Sequence, residues 1–159
     1  MMELLGASRR QVAALVEAEL AKNPALRLVG SVGQAGEGAD LEVSFDDEGG
    51  FELVFRPFPP LWMVEQPAPT AACREQADFF RTALAQREEV LVRVARALVV
   101  RQAVYLRGHI AAPIFVALGR LADEVGLHPT TLGRVLANKT LASPQGELDL
   151  TALLGRPLD

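Results

Sequence analysis

The chain has 159 residues, of which 50% are hydrophobic, and a formal net charge of −4 at pH 7. This length suffices for one domain or two small ones, with enough apolar side chains for a core that needs no cross-links. The net negative charge argues against a nonspecific nucleic-acid coat protein. The single cysteine, Cys73, excludes an internal disulfide and favours a reducing, cytoplasmic setting.

The charge is distributed unevenly along the chain. Residues 1–70 carry 5 basic and 11 acidic side chains, whereas residues 71–159 carry 11 basic and 9 acidic ones. The second half therefore favours a polyanionic partner more than the first. No basic region followed by an apolar run opens the sequence, and no apolar stretch has the length of a membrane span, so we expect no membrane partner.

The segment 1–28 predicts an amphipathic helix. Ser8 and Gln11 have the spacing of a capping box, and Asn23-Pro24 ends the helix because a residue before proline is pushed out of the α region. Two interpretations of the apolar stripe are open: it docks in a groove of a partner, or it packs against the rest of this chain. As candidate partner-binding residues it offers Val12, Leu15, Val16 and Leu20.

A glycine-rich stretch follows and predicts a flexible linker through Gly30, Gly33, Gly36 and Gly38. It is not a phosphate-binding loop, because no Lys-Ser/Thr pair opens a helix behind it.

Alternating apolar residues in 41–45 and 51–55 predict a β-hairpin within the unit 39–70. The acidic loop 46–50 between them lacks the spaced oxygens and closing Glu of a calcium loop, so a solvated turn is expected. Prolines then predict an extended crossing in which Trp62 is a packing anchor.

The segment 72–107 predicts one long helix of roughly 50 Å, because neither Pro nor Gly interrupts residues 72–106. Such a length is typical of a strut or a coiled-coil arm. Its arginines are expected to form a mostly solvated face, with some of them meeting phosphates.

The segment 113–154 predicts a helix-turn-helix. Gly126 supplies the positive φ that stops the first helix, and Pro129 suits the first turn of the second. The second helix points Leu132, Val135 and Leu136 inward, whereas its outward face carries Thr131, Arg134 and Asn138. Such polar groups bind base edges in a major groove, although a helical hairpin that merely packs is the alternative.

No catalytic or metal-binding arrangement is recognisable. The two histidines, His109 and His128, are not spaced for a metal, and one cysteine does not complete a zinc set. His128 is expected to cap the second helix. We therefore predict no enzyme, no cofactor and no metal, and a mainly α fold: a long helix plus helix-turn-helix, with a small β-hairpin and an N-terminal amphipathic helix.

Residues 74–150 resemble the sigma-54 family of bacterial RNA polymerase sigma factors. The resemblance is carried by the long-helix run 86–102, the helix-turn-helix run 121–134, Ala137-Asn138-Lys139 and Gly146-Glu147-Leu148. In that family the long helix and helix-turn-helix form one unit that holds the minus-twelve promoter element. The resemblance implies DNA contacts for His128, Thr130, Thr131, Arg134, Asn138 and Lys139, with supporting roles for Arg96 and Arg101.

Segments 3–26 and 39–43 resemble, more loosely, the end of the family's activator-responsive region and the segment before the long helix. The core-binding helical module and the C-terminal promoter box have no counterpart in this sequence, so the resemblance is to a reduced form of the family. It implies promoter DNA, RNA polymerase core and an activator ATPase as partners. Two alternatives stay open: an interaction module on polymerase or an activator that does not read promoters, and a dimeric repressor with the long helix as its arm.

Overall fold

The computed structural model describes residues 2–28, 37–58, 61–65, 67 and 69–158. Of the predicted glycine linker, Gly30, Gly33 and Gly36 lie outside the described residues. The described helices, in chain order, are α1 (Met2–Gly6), α2 (Arg9–Lys22), α3 (Ala71–Leu106), α4 (Leu118–Val125), α5 (Pro129–Leu136) and a 3₁₀ helix (Leu150–Leu154). The described strands are β1 (Leu26–Leu28), β2 (Leu41–Phe45), β3 (Phe51–Phe55), β4 (Leu61–Met63), β5 (Thr140–Ser143) and β6 (Gly146–Asp149).

The N-terminal helix α2 begins at the predicted capping box. The Ser8 hydroxyl accepts from the Gln11 backbone N–H at 3.2 Å, and the Gln11 side chain accepts from the Ser8 backbone N–H at 2.8 Å. Asn23 follows the helix with extended backbone angles, as the Asn-Pro pair predicts. These local signals are confirmed.

The apolar stripe of α2 docks on the chain itself. Val12 and Val16 are buried in a core that also contains Ala25, Leu26 and Ala77, and Leu15 and Leu20 pack partly buried against that core. The structure therefore contradicts the use of Val12, Leu15, Val16 and Leu20 as a partner-binding stripe. The physical reason is that the stripe already shares one core with apolar residues of α1, β1, β4 and the first half of α3.

The main sheet has four strands in the order β3-β2-β5-β6. The predicted hairpin β2–β3 is present, with Leu41 opposite Phe55 and Phe45 opposite Phe51. The other edge of β2 pairs in parallel with β5, where Leu41 lies opposite Leu141. The sheet thus joins the unit 39–70 to the segment that follows the helix-turn-helix.

A second, two-stranded sheet pairs β1 with β4 and places Arg27 opposite Trp62. Trp62 is 59% exposed, so its prediction as a packing anchor is wrong. Alternation in a strand explains the error, because Leu61 takes the inward position and Trp62, next to it, must face out.

Helix α3 has 36 residues and is about 54 Å long. It begins at Thr70, whose hydroxyl accepts from the Cys73 backbone N–H at 3.3 Å. Its first half packs on the N-terminal core, and its second half packs on the sheet and the helix-turn-helix through Leu91, Val94, Leu98 and Leu106. The fold of the described residues is thus about half helical, with five α-helices, a four-stranded sheet and a two-stranded sheet. None of those helices combines the length and apolarity of a membrane span.

Candidate nucleic-acid interface

The turn between α4 and α5 has the predicted geometry. Gly126 has φ 70° and ψ 36°, and its N–H donates to the carbonyls of Ala122 and Asp123. The Leu127 N–H also donates to the Ala122 carbonyl, at 2.9 Å. The left-handed residue and the paired carbonyls stop α4 and turn the chain into the next helix.

Helix α5 begins where the sequence predicts. The His128 side chain accepts from the Thr130 backbone N–H through Nδ1 at 3.2 Å, which confirms its capping role, and Pro129 occupies the first helical position. The inward residues are buried as predicted: Leu132, Val135 and Leu136. This packing fixes which face of α5 remains in contact with solvent.

That solvent face carries the predicted polar side chains. His128, Thr130 and Arg134 are exposed, and Thr131 is half-buried. Arg134 makes no ion pair with any residue in the described part of the chain. The face therefore presents hydroxyls and one uncompensated guanidinium.

Asn138 is exposed but does not lie on α5, which ends at Leu136. Its φ of 57° places it in the left-handed region, where Asn is tolerated better than most residues. The predicted i, i+7 placement on one helix is therefore wrong, and Asn138 belongs to the turn that leaves α5.

The two supporting arginines on α3 differ from each other. The exposed Arg96 has its guanidinium 6.0 Å from the ring centroid of Phe51 on the hairpin. Arg101 pairs with Glu124 of α4, so its charge is compensated within the protein. We expect Arg101 to hold α4 against α3, which leaves Arg96 as the free cation of the two.

Lys139 is not at the surface, in contrast to the DNA contact that the resemblance implies. It is 1% exposed, and its ammonium donates to the carbonyls of Leu5 and Ala137, both at 2.9 Å. Burial lowers the pKa of Lys139 to about 8, with Arg87 adding to the effect and Asp40 opposing it. The physical reason for the correction is that α1 covers this side chain.

A buried charged cluster that the sequence reasoning missed surrounds Lys139. Arg87 of α3 is 2% exposed and donates to the carbonyls of Leu4 and Ala7 at 3.1 and 3.2 Å. Its ion-pair partner is Asp40, at 3.6 Å. Burial lowers the pKa of Arg87, and the nearby Asp40 carboxylate opposes that effect. The cluster ties α1, α3 and the hairpin together behind α5.

One signal for this cluster was present in the sequence. Arg87 falls on the apolar stripe of α3, between Leu84 and Leu91 and in register with Val94 and Leu98. A charged residue on a buried stripe has to find polar partners inside the protein. Nothing comparable marks Asp40, whose partners are brought to it only by the fold.

A second polar side chain on the same stripe fixes the entry to the helix-turn-helix. Gln102 is fully buried; its amide oxygen accepts from the Ile114 N–H at 2.9 Å, and its amide nitrogen donates to the carbonyls of Ile114 and Leu153, both at 2.6 Å. The segment before α4 and the 3₁₀ helix are therefore held by α3.

Helix α1 lies beside the exposed face of α5. A methyl group added at Gly6 would lie 3.9 Å from Cβ of Arg134, which is ordinary van der Waals contact. The base of the Arg134 side chain is thus bordered by α1, while its exposed end faces solvent.

Residues 68–159 match the model of a protein family described as "Sigma-54, DNA binding domain". The chain belongs to the sigma-54 family. The matched region contains α3, α4, α5, β5 and β6, so it includes the whole exposed face described above. Strands β2 and β3 precede the matched region and nevertheless complete its sheet.

Curated relatives agree with this family assignment. The chain is 33% identical over 85 residues to the RNA polymerase sigma-54 factor of Xanthomonas euvesicatoria, covering 54% of this chain and 18% of that protein. It is 33% identical over 86 residues to the factor of Cereibacter sphaeroides, covering 54% and 20%. This sigma-54-family chain thus aligns with about a fifth of the length of those relatives.

A solved structure shares the fold. The crystal structure of Aquifex aeolicus sigmaN bound to promoter DNA matches with a TM-score of 0.55 and 18% identity, covering 76% of this chain and 41% of that one. At this identity the match bears on the architecture of the sigma-54-family chain and not on individual contacts.

Proposed function

We propose that this sigma-54-family chain contacts promoter DNA through the exposed face of α5 during transcription initiation, and that a minus-twelve-type element is its site. The observation that carries the proposal is the outward polar face of the second helix of a helix-turn-helix, whose apolar side is fully buried. A second helix of this kind enters the major groove and reads base edges with its exposed side chains.

Each exposed side chain has a role that its chemistry suits. Arg134 is the candidate for a bidentate contact to guanine, because a guanidinium matches the two acceptors on that base edge. Thr130 and Thr131 suit base or phosphate oxygens, and His128 sits at the start of the helix, where contacts with base edges concentrate. Asn138 extends the surface beyond the end of α5.

Phosphate contact is proposed for Arg96 alone among the α3 arginines named by the resemblance. It is exposed and carries no ion pair within the described residues, whereas Arg101 is engaged by Glu124. An exposed cation releases counterions when it meets a phosphate, and this strengthens binding at low salt.

RNA polymerase core is the proposed protein partner, since the curated relatives are named RNA polymerase sigma-54 factors. An activator ATPase is proposed as a further partner on the resemblance. Both proposals place the chain in the cytoplasm and give it a binding role instead of a catalytic one.

The experiment that tests the proposed function compares two DNA probes. The purified chain is titrated against a fork-junction duplex with a minus-twelve-type element and against a scrambled duplex of equal length and composition, at several salt concentrations. We expect weak, steeply salt-dependent binding with a preference for the element, because one helix pair buries little surface. Equal affinity for both probes would contradict promoter reading.

A parallel capture experiment addresses the alternative of an interaction module. Immobilised chain is incubated with core polymerase, with and without the element-containing probe. Capture of polymerase that is independent of DNA, combined with no probe preference, would favour a module that has no promoter-reading role.

A further inference from the structure

Lys139 links two segments that are far apart in sequence. Its ammonium binds the Leu5 carbonyl in α1 and the Ala137 carbonyl directly behind α5, while its own side chain is shielded from solvent. One cation therefore fixes the end of α1 against the exit from α5.

Asn138 lies between Ala137 and Lys139 in the sequence. It has a left-handed φ of 57° and an exposed side chain. The exit turn, residues 137–140, is held on both sides of Asn138. Before it, the Ala137 carbonyl is bound by Lys139. After it, the Lys139 carbonyl accepts from the Leu150 N–H at 3.0 Å, and the Thr140 N–H donates to the Asp40 carboxylate at 3.0 Å.

We propose that Lys139 is a positioning residue for DNA recognition: it acts from the interior by fixing the exit turn and α1, which set the orientation of Asn138 and border Arg134. This inference rests on the proposed function of α5. It replaces the role of a phosphate-contacting lysine, since a phosphate has no path to an ammonium that is covered by α1 and already holds two carbonyls.

The surroundings of Lys139 support an internal role. Asp40 is the carboxylate that forms an ion pair with this cluster, and Arg87 binds two further carbonyls around the end of α1, those of Leu4 and Ala7. The two cations thus hold three carbonyls within residues 4–7. That arrangement orders the end of α1, where Gly6 borders Arg134.

The first arm of the test uses the wild-type protein and an amine-reactive acetylating reagent. The chain contains two lysines, and Lys22 is 63% exposed whereas Lys139 is buried. We expect Lys139 to be modified about 100-fold more slowly than Lys22 in the absence of DNA, because its reaction requires local opening. Equal reactivity of the two lysines in free protein would overturn the proposal.

The second arm compares Lys139→Met with the matched control Lys22→Met. Loss of a phosphate contact would weaken binding to all sequences and lower the salt slope by about 1. A positioning role predicts instead an unchanged salt dependence of binding and a loss of about fivefold or more in the preference for the promoter probe. Fivefold is about the lower end of the discrimination that one base contact supplies. Preference retained in Lys139→Met would overturn the proposal while leaving the proposed function intact.

Amide hydrogen exchange supplies a readout that does not depend on DNA. We expect Lys139→Met to speed exchange in α1 and in the exit turn but not in the sheet of β1 and β4. If that variant does not fold, Lys139→Gln, which keeps a hydrogen-bond donor, takes its place in both measurements. A wild-type chain with no promoter preference would refute the proposed function and the recognition role together, even if exchange and labelling show Lys139 buried.

Discussion

Asp40 and Arg87 face each other across 3.6 Å inside the protein, with 3% and 2% of their side chains exposed. The pair connects the start of the hairpin to the middle of the long helix. Its separation is that of an ion pair and exceeds a normal hydrogen bond, while the other carboxylate oxygen accepts from the Thr140 N–H at 3.0 Å.

Asp40→Asn is expected to lower the free energy of unfolding by about 3 kcal/mol, since removing one partner of a buried pair leaves an uncompensated charge. Urea denaturation followed by circular dichroism measures the change. The matched control is Glu42→Gln, two residues away, whose ion pair with Arg56 is about half exposed. That control should cost about 0–1 kcal/mol. Equal effects of the two substitutions would contradict a buried cluster.

Lys139 makes stability depend on pH in the alkaline range. Burial lowers its pKa to about 8, against 10.5 for an ordinary lysine, so between these values the unfolded chain binds more protons than the folded one. Stability should therefore rise with pH from about 8 to 10.5, by up to about 3 kcal/mol relative to Lys139→Met. Parallel denaturation of the two proteins across this range isolates the contribution of Lys139. A difference that stays constant with pH would show that this ammonium is not buried.

The two glycines of α4 and its cap should respond oppositely to alanine. Gly126→Ala forces a side chain into φ 70° and should destabilise the protein by about 1–2 kcal/mol. Gly119→Ala lies inside α4 with no atom within 4 Å of the new methyl group, so it should stabilise by about 0.5–1 kcal/mol through helix propensity. Thermal unfolding of both variants measures these effects. If Gly119→Ala destabilised the protein as much as Gly126→Ala, the left-handed turn at Gly126 between α4 and α5 would be contradicted.

The helix-turn-helix could be predicted from the sequence because its signals are local. Gly126, Pro129 and the apolar spacing of α4 and α5 each act within a few residues, and the same holds for the capping box at Ser8. The hairpin β2–β3 also needs only neighbouring residues for its pairing.

The parallel pairing of β2 with β5 was not predictable in this way. Leu41 and Leu141 are 100 positions apart, and β5 is too short to show a clear alternation. The placement of Lys139 depends on the same long-range contacts: a lysine three residues beyond the second helix of a helix-turn-helix is predicted to contact DNA, whereas in the structure α1 covers it. Motif resemblance identifies the position of such a residue, and packing decides its role.

The reading role of α5 is tested by the ratio of promoter to scrambled-DNA affinity for Arg134→Ala, beside the matched control Arg120→Ala. Both arginines are exposed and carry no ion pair within the described residues, but Arg120 lies on α4. If α5 reads the promoter, Arg134→Ala lowers the free-energy preference expressed by that ratio by about 1–3 kcal/mol, whereas Arg120→Ala leaves the ratio unchanged. An unchanged ratio for Arg134→Ala, or equal losses for both variants, would contradict the assignment of α5 as the reading helix.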